Sequence, residues 1–265
     1  VNVGSLSGPT TIGIVNLMND SLASSNTYNF TMATQPDEIA SALGSGDLDI
    51  ALIPANLASV LYNRTEGKIS VIDINTLGVL YIVENGESVN SLADLAGKKV
   101  LASGQGSTPE YVLNYLLEEN GLADQVEVEY LTEHDEAVTA LVSGNADIIM
   151  IPEPKVTAVL SQVETARIAV DITAEWNTLY TSRSENEDTD IPQLVQGVIV
   201  VQKSFAQDHP EIVDSFLEDY AASVAFTNEH MEEASQLIED YGIVPKAAVA
   251  LKALPNCNIV CITGE

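Results

Sequence analysis

The chain has 265 residues, with 39 acidic against 10 basic side chains and a formal net charge of -29. That length allows one large domain or two modest ones, either able to bury a full core without disulfides. The charge repels phosphate backbones and anionic lipid surfaces, which argues against nucleic acid as a partner, and no stretch approaches the roughly 18 to 20 unbroken apolar residues of a membrane span. A soluble globular protein is expected.

In chain order, "VNVGSL" (1–6) predicts a strand, "SGPTT" (7–11) a small-residue loop, and a helix follows. "YNFTMAT" (28–34) alternates as a half-buried strand, and "TQPDEIASAL" (34–43) predicts a helix whose T-x-x-D opening makes Thr34 the expected cap, with Asp37 in the first turn. "LDIALIP" (48–54) is a continuous apolar run of the kind buried on both faces of a parallel sheet, and Pro54 ends it. A helix "ANLASVLYN" and a closing strand "ISVIDI" (69–74) complete the series.

After the extended run "TLGVLYIVENG", the same plan returns. "KKVLAS" (98–103) is a strand and "GQGST" (104–108) a loop; Thr108 is the expected N-cap, Pro109 the first helical residue, and Gly121 the stop of "PEYVLNYLLEENG". Then come the strand "VEVEYLT", the helix "TEHDEAVTAL" with Thr132 as cap and Asp135 behind it, the strand "ADIIMIP" ending at Pro152, the helix "EPKVTAVLSQ", and "ARIAVDI" (166–172). Ten residues state the repeat most plainly: "SGDLDIALIP" (45–54) and "SGNADIIMIP" (143–152) share six identities at an offset of 98.

Strands alternating with helices, twice over, predict an α/β fold of two similar lobes, each a mainly parallel sheet flanked by helices. The runs "TLGVLYIVENG" and "QGVIVVQKSF" bracket the second copy and read as two hinge crossings. The expected organisation is residues 1–80 for the first part of lobe I, 81–196 for lobe II, and 197–265 for the return to lobe I with two long helical patterns, "PEIVDSFLEDYAASVAFTNE" and "HMEEASQLIEDYG".

In such sheets ligands gather at the carboxyl ends of strands, where loops enter helices. The candidate ligand-binding residues are therefore Gly8, Pro9, Thr10 and Thr11 in one loop and Gly104, Gly106, Ser107 and Thr108 in its counterpart, expected to form opposing walls of one cleft. Glycine permits close approach, hydroxyls donate, and a helix start offers unpaired N–H groups, a set suited to a small polar or anionic molecule. Glu153 stands where the first copy has Ala55, and either meets a ligand N–H or favours the helix start. Asn56 is a similar candidate, Trp176 either a stacking wall or core, and Tyr111 comparable to it.

No catalytic signature is present: "GQGSTPE" lacks the lysine of a phosphate-binding loop and the pattern of a nucleophile elbow. His134, His209 and His230 lie at acidic helix starts and read as capping or exposed. No metal cluster and no cofactor is expected, and "SENEDTD" (184–190) reads as an exposed loop. Cys257 and Cys261 flank a β-branched run, where a four-residue separation of about 13 Å exceeds disulfide reach, so free buried thiols are favoured. The chain opens without Met and without a visible signal segment, which suggests a processed N-terminus.

The ordered series "SLADLAGKKVLASGQGSTPEYVLNYLLEENGL…VEVEYLTEHDEAVTALVSGNADIIMIPEP", followed by "QKSFAQDHPEIVDSFLEDYAASV", resembles the substrate-binding proteins of ABC importers for sulfonates, taurine, nitrate and thiamine precursors. The resemblance implies a type II periplasmic-binding-protein fold that closes over one small molecule, a membrane-embedded ABC permease as partner, a monomeric state, and an extracytoplasmic place, in the periplasm or as a surface lipoprotein. It also implies that Gly106, Ser107 and Thr108 contact the ligand's acidic group while Gly8 to Thr11 supply the opposite wall. Lys155 departs from the aromatic or apolar residue common in the family after E-P, and "CITGE" comes earlier than the family pattern leads one to expect. The alternative is a small-molecule lyase of the same two-lobe fold, similar to the chorismate-dehydrating enzymes, with Glu153 as base.

Overall fold

The computed structural model describes residues 1–19, 24–183 and 193–264; the acidic cluster at 184–190 lies outside them. The first copy runs β1 (Asn2–Leu6), α1 (Pro9–Ile12), α2 (Val15–Met18), β2 (Asn29–Ala33), α3 (Pro36–Ser45), β3 (Ile50–Pro54), α4 (Ala55–Arg64) and β4 (Ile69–Leu77). After β5 (Leu80–Asn85), the second runs β6 (Lys99–Ser103), α5 (Thr108–Glu119), β7 (Glu127–Leu131), α6 (His134–Val142), β8 (Ile148–Pro152), α7 (Lys155–Leu160), β9 (Ala166–Asp171) and α8 (Ile172–Arg183). The chain ends through β10 (Val195–Gln202), α9 (Lys203–Asp208), α10 (Pro210–Glu229), α11 (Met231–Asp240), α12 (Ala247–Ala253) and β11 (Ile259–Thr263). Neither α12 nor its packing against α11 was visible as a pattern in the sequence.

Contacts divide the chain into two compact units, Val1–Leu77 with Val195–Glu265, and Gly78–Leu194. The first holds a six-stranded sheet in the order β11-β4-β10-β3-β1-β2, the second a five-stranded sheet β9-β5-β8-β6-β7. Both sheets are mixed, which corrects the expectation of mainly parallel ones. The parallel pairs are β2-β1 and β1-β3 in one unit, β7-β6 and β6-β8 in the other. The closing strands β4 and β9 do not pair with β3 and β8, because the bracketing runs wedge in antiparallel between them: β10 pairs with both β3 and β4, and β5 with both β8 and β9.

The apolar runs behave as their composition dictates. On β3, Ile50 and Leu52 enter one core while Ala51 and Ile53 enter another; on β8, Ile148 and Met150 divide from Ile149 and Ile151 in the same way. Helices on both faces leave no wet side, and each fully buried aliphatic side chain contributes about 1.5–3 kcal/mol. Both preceding helices end at a glycine in the left-handed region, Gly46 at φ 82° and Gly144 at φ 74°, which explains the repeated Ser-Gly.

The caps differ from expectation by one residue. Gln35, not Thr34, caps α3, because Pro36 with its fixed φ takes the first helical position. Glu133, not Thr132, caps α6, and its N–H donates to Glu136 Oε2 at 3.3 Å in a reciprocal capping box. Ser107 rather than Thr108 caps α5, with Pro109 second in the first turn, and Gly121 stands just past its end at φ 67°. Both cysteines are free, but only Cys257 is buried; Cys261, on β11, is half-buried.

Candidate functional site

The carboxyl ends of the parallel strands were expected to carry the site, and each unit assembles its candidates there. In the first unit, β1 ends at Leu6 and leads through Gly8, at φ 137°, into the four-residue helix α1 with Pro9 in its first turn. Thr10 and Thr11 are buried, and their hydroxyls turn back to the Leu6 carbonyl at 3.0 and 2.7 Å, Thr11 also pairing with Ser5. They stitch the helix to the strand. Asn56 is the second residue of α4, partly exposed, directly after the end of β3.

In the second unit, the loop after β6 satisfies itself. The Ser107 hydroxyl and N–H both donate to the Gly104 carbonyl, at 2.6 and 3.1 Å. The Gly106 N–H, a donor expected to face an acidic ligand, donates instead to Glu110 Oε2 at 2.7 Å. Gly104 and Gly106 adopt φ 86° and 70°, and a Cβ on Gly104 would press within 2.8 Å of the Pro109 ring. Thr108 is buried in the first turn of α5, and Tyr111 is 58% exposed with its hydroxyl 3.3 Å from the Gly106 carbonyl.

Glu153 follows β8 and is 1% exposed. Its carboxylate accepts the Thr157 N–H at 3.0 Å and the Thr157 hydroxyl at 2.8 Å. Of the two roles open to it, the helix-start role is the one its bonds fill. Burial raises its pKa, and the two Thr157 bonds only partly offset this. Trp176, on α8, packs with tilted rings against Tyr180 and Tyr115 at ring-centroid distances of 4.9 and 5.7 Å and is half-buried against the core of its unit.

His134 departs from the expectation of a capping or exposed residue. It is the first residue of α6, and its Nδ1 lies 2.6 Å from Ser103 Oγ at the end of β6, where Ser103 is wholly buried and donates to the Met150 carbonyl at 3.1 Å. Burial first, then the nearby Lys155 charge, push its pKa down to about 4, so the ring is neutral at ordinary pH. Lys155 itself pairs with Asp135 at 2.5 Å. Only the folded contact between β6 and α6 brings Ser103 and His134 together, across 31 residues of sequence.

A set of neutral polar groups in the first unit is likewise not apparent from the sequence. At the end of β4, Asn75 and Thr76 are fully buried; the Asn75 amide donates to the Thr10 carbonyl at 3.3 Å and accepts from the Thr76 hydroxyl at 3.0 Å. Gly197 of β10 leaves room for them: a Cβ there would collide with Asn75 Oδ1 and lie 2.6 Å from Thr10 Cγ2. A polar triplet beside a glycine, "INTL" and "QGV", was the only trace in the sequence.

The remaining cavities lie elsewhere. One of about 430 Å³ is lined by Leu17, Met18, Tyr28 and Phe30, and another of about 590 Å³ by Lys98, Lys99, Glu129 and Asn145, at the amino ends of β6 and β8. Among the described residues no three His, Cys, Asp or Glu side chains converge to hold a metal, and no helix is long and apolar enough to cross a membrane.

Two units of repeated strand order, each with an antiparallel strand wedged beside its central parallel one, define the periplasmic-binding-protein fold. Solved structures align over nearly the whole chain. An ABC transporter protein from Parabacteroides distasonis matches with TM-score 0.79 and 20% identity, covering 99% of this chain and 86% of the other. The periplasmic aliphatic sulphonate binding protein SsuA of Escherichia coli matches with TM-score 0.75 and 18% identity over 97% and 82%. The Candida albicans CA3427 product, with the generic periplasmic binding protein structural fold, matches with TM-score 0.62 and 13% identity over 98% and 81%. No curated protein matches the chain. The family model described as NMT1/THI5 like matches residues 33–234, and the chain belongs to that family.

Proposed function

We propose that this protein is an extracytoplasmic receptor that captures one small polar organic molecule and delivers it to a membrane-embedded ABC permease, acting as a monomer without catalysis. One observation carries the reading. The repeated strands end at Pro54 and Pro152, and these residues pair with Gly197 and Leu80, which stand just past the points, Leu194 to Val195 and Leu77 to Gly78, where the chain passes from one unit to the other. A ligand held at either strand end touches a strand paired with the one that carries a crossing, which is how binding would couple to a change in that crossing.

In this reading Gly8, Pro9 and Asn56 offer backbone and small polar groups to the ligand, and Gly106 and Ser107, whose donors are bonded to Glu110 and Gly104, meet it with their remaining backbone surface. Thr10, Thr11, Thr108, Glu153 and Trp176, with their side chains buried or bonded inward, hold those groups in place. The lyase alternative needs Glu153 as a free base, whereas both its carboxylate oxygens accept from Thr157.

Mass spectrometry of whatever co-purifies with the protein should identify a bound solute that is recovered chemically unchanged, and small-angle scattering should record a smaller radius of gyration when that solute is added back. Conversion of the solute on incubation would favour the lyase; an unchanged radius at saturation would refute closure.

A further inference from the structure

The two ends of β11 are held in different ways. The strand lies at the edge of the six-stranded sheet, paired with β4. At its near end the Asn258 carbonyl accepts the Leu77 N–H at 3.1 Å, the Ile259 carbonyl accepts the Asn228 amide at 3.1 Å, and the Tyr220 hydroxyl reaches the Val260 carbonyl at 3.4 Å. Ile259 is 5% exposed and belongs to the core. At the far end Ile262 is 43% exposed and Thr263 is exposed, so little buried apolar area holds it.

Under that far end sits Asp73. It pairs with Thr263 of β11 on one side and Ile199 of β10 on the other, and the ladder is irregular on both. One extra residue of β11 lies between Ile259 and Ile262, and on β4 Ile72 is left over between the partners of Ile199 and Val200. The Asp73 carboxylate is 1% exposed and lacks a well-formed hydrogen bond, and the ion pairs among the described residues do not include it.

The ionisable groups that bear on it are the Cys261 thiol of β11 and the Tyr220 phenol of α10. From β10 it meets Ile199; α1 carries no ionisable side chain, and α4 packs on the other face of the sheet with Arg64 at its far end. Both neighbours keep their protons. Burial and then Asp73 push Cys261 up to about 12, and burial and then the Asp73 charge raise Tyr220 well above the usual phenol. An ionised Asp73 finds no cation beneath the closed strand, which makes its burial there unfavourable. The weakly held end of β11 is the cover whose movement admits water.

We propose that the far end of β11, Cys261 to Thr263, is a pH-sensitive strap that lies closed on β4 while Asp73 is protonated and lifts once Asp73 is ionised, turning about the bonds at Asn258 to Val260. The closed state holds the proton more tightly than the open one, at a pKa of about 6 against an ordinary 3.8. Opening therefore becomes easier as pH rises between those values and levels off above them. Acid tightens the strap, whatever solute the protein carries.

Native-state hydrogen exchange on the full chain tests this, with each rate divided by the intrinsic rate at the same pH. The amides of Cys261 to Thr263 should exchange through an opening of their own, faster than those of Ala51 to Ile53 in β3 at every pH. Their protection should fall roughly tenfold between pH 5 and pH 7.5 and change little beyond. In Asp73→Asn, which keeps the size and removes the charge, the same amides should keep their pH 5 protection at pH 7.5. Protection that does not vary with pH overturns the strap, as does protection equal to that of β3 throughout, which would mean that this end opens only when the whole unit unfolds. A pH dependence that survives in Asp73→Asn assigns it to another group and overturns it too. Failure of Asp73→Asn to fold has the same force, since the variant removes only a charge that the closed strap has to bury.

Discussion

Each unit buries an acidic side chain in its sheet, and the two meet opposite fates. Glu84, on β5, is 2% exposed and fully engaged: it accepts from the Ser88 hydroxyl and N–H and the Val89 N–H, and pairs with Arg167 at 2.8 Å. Burial pushes its pKa up, yet the Ser88 and Val89 bonds and the Arg167 charge outweigh this and leave it below the usual value. Asp73, on β4, is 1% exposed, and neither oxygen has a well-formed hydrogen bond. Burial raises its pKa to about 6, the Cys261 thiol and Ile262 N–H beside it offsetting only part of the cost. The difference teaches that burial alone does not decide what a carboxylate does for a fold; the donors that the neighbouring strands bring to it do.

The largest expected effect comes from breaking the satisfied member. Arg167→Met strands Glu84 in the sheet without a cation and should cost about 3 kcal/mol at pH 7. Fluorescence of Trp176, the single tryptophan and a member of the same unit, reports the loss in a urea titration. A cost no greater than that of a surface pair, about 0.5 kcal/mol, would show that the backbone bonds alone hold Glu84.

Next in size is the unsatisfied member, with the opposite sign. The folded pKa of Asp73 lies above its unfolded value of 3.8, so the folded state holds the proton more tightly, and stability falls as pH rises from about 4 to about 6. Asp73→Asn removes that penalty and should stabilise the first unit by about 2 kcal/mol at pH 8, with no gain at pH 4. For Glu84 the folded pKa is depressed, so its contribution is present above the unfolded pKa and is lost as pH falls. Calorimetry of both variants across this range would sharpen the contrast; a gain for Asp73→Asn that does not vary with pH would remove it.

Smaller effects test the polar ends of the second unit. His134→Ala deletes the bond to Ser103 and should cost about 1 kcal/mol, unchanged between pH 6 and 8 because the ring is neutral throughout. Smallest is the cap. Glu133→Ala should destabilise α6 by about 0.5–1 kcal/mol, while Thr132→Ala should leave melting within experimental error. An equal loss in both would return the cap to Thr132.

Much of the fold was legible because it is written locally. The apolar runs at 48–54 and 146–152 became β3 and β8, each feeding two cores, and the Ser-Gly pairs became helix ends at Gly46 and Gly144. The caps slipped by one residue, since a Thr beside a Gln-Pro or a Glu offers several cap candidates and only the final φ angles choose. The candidate site was legible in place and not in partners. Gly106 and Glu153 sit at the expected strand ends, but nothing local told that Glu110 and Thr157 would take their bonds.

The sequence by itself determined the doubling of the scaffold, most of its strands and helices, and the small-residue loops that follow the strand ends, because periodicity and helix-end chemistry act over a few residues. Only the tertiary structure decided that β5 and β10 wedge in antiparallel and make both sheets mixed, that His134 meets Ser103, and that the Asp73 carboxylate lacks well-formed hydrogen bonds while Glu84 is fully engaged. Those outcomes depend on which distant strand supplies a donor: β10 reaches β3 across more than a hundred residues of chain, a separation no local pattern can encode.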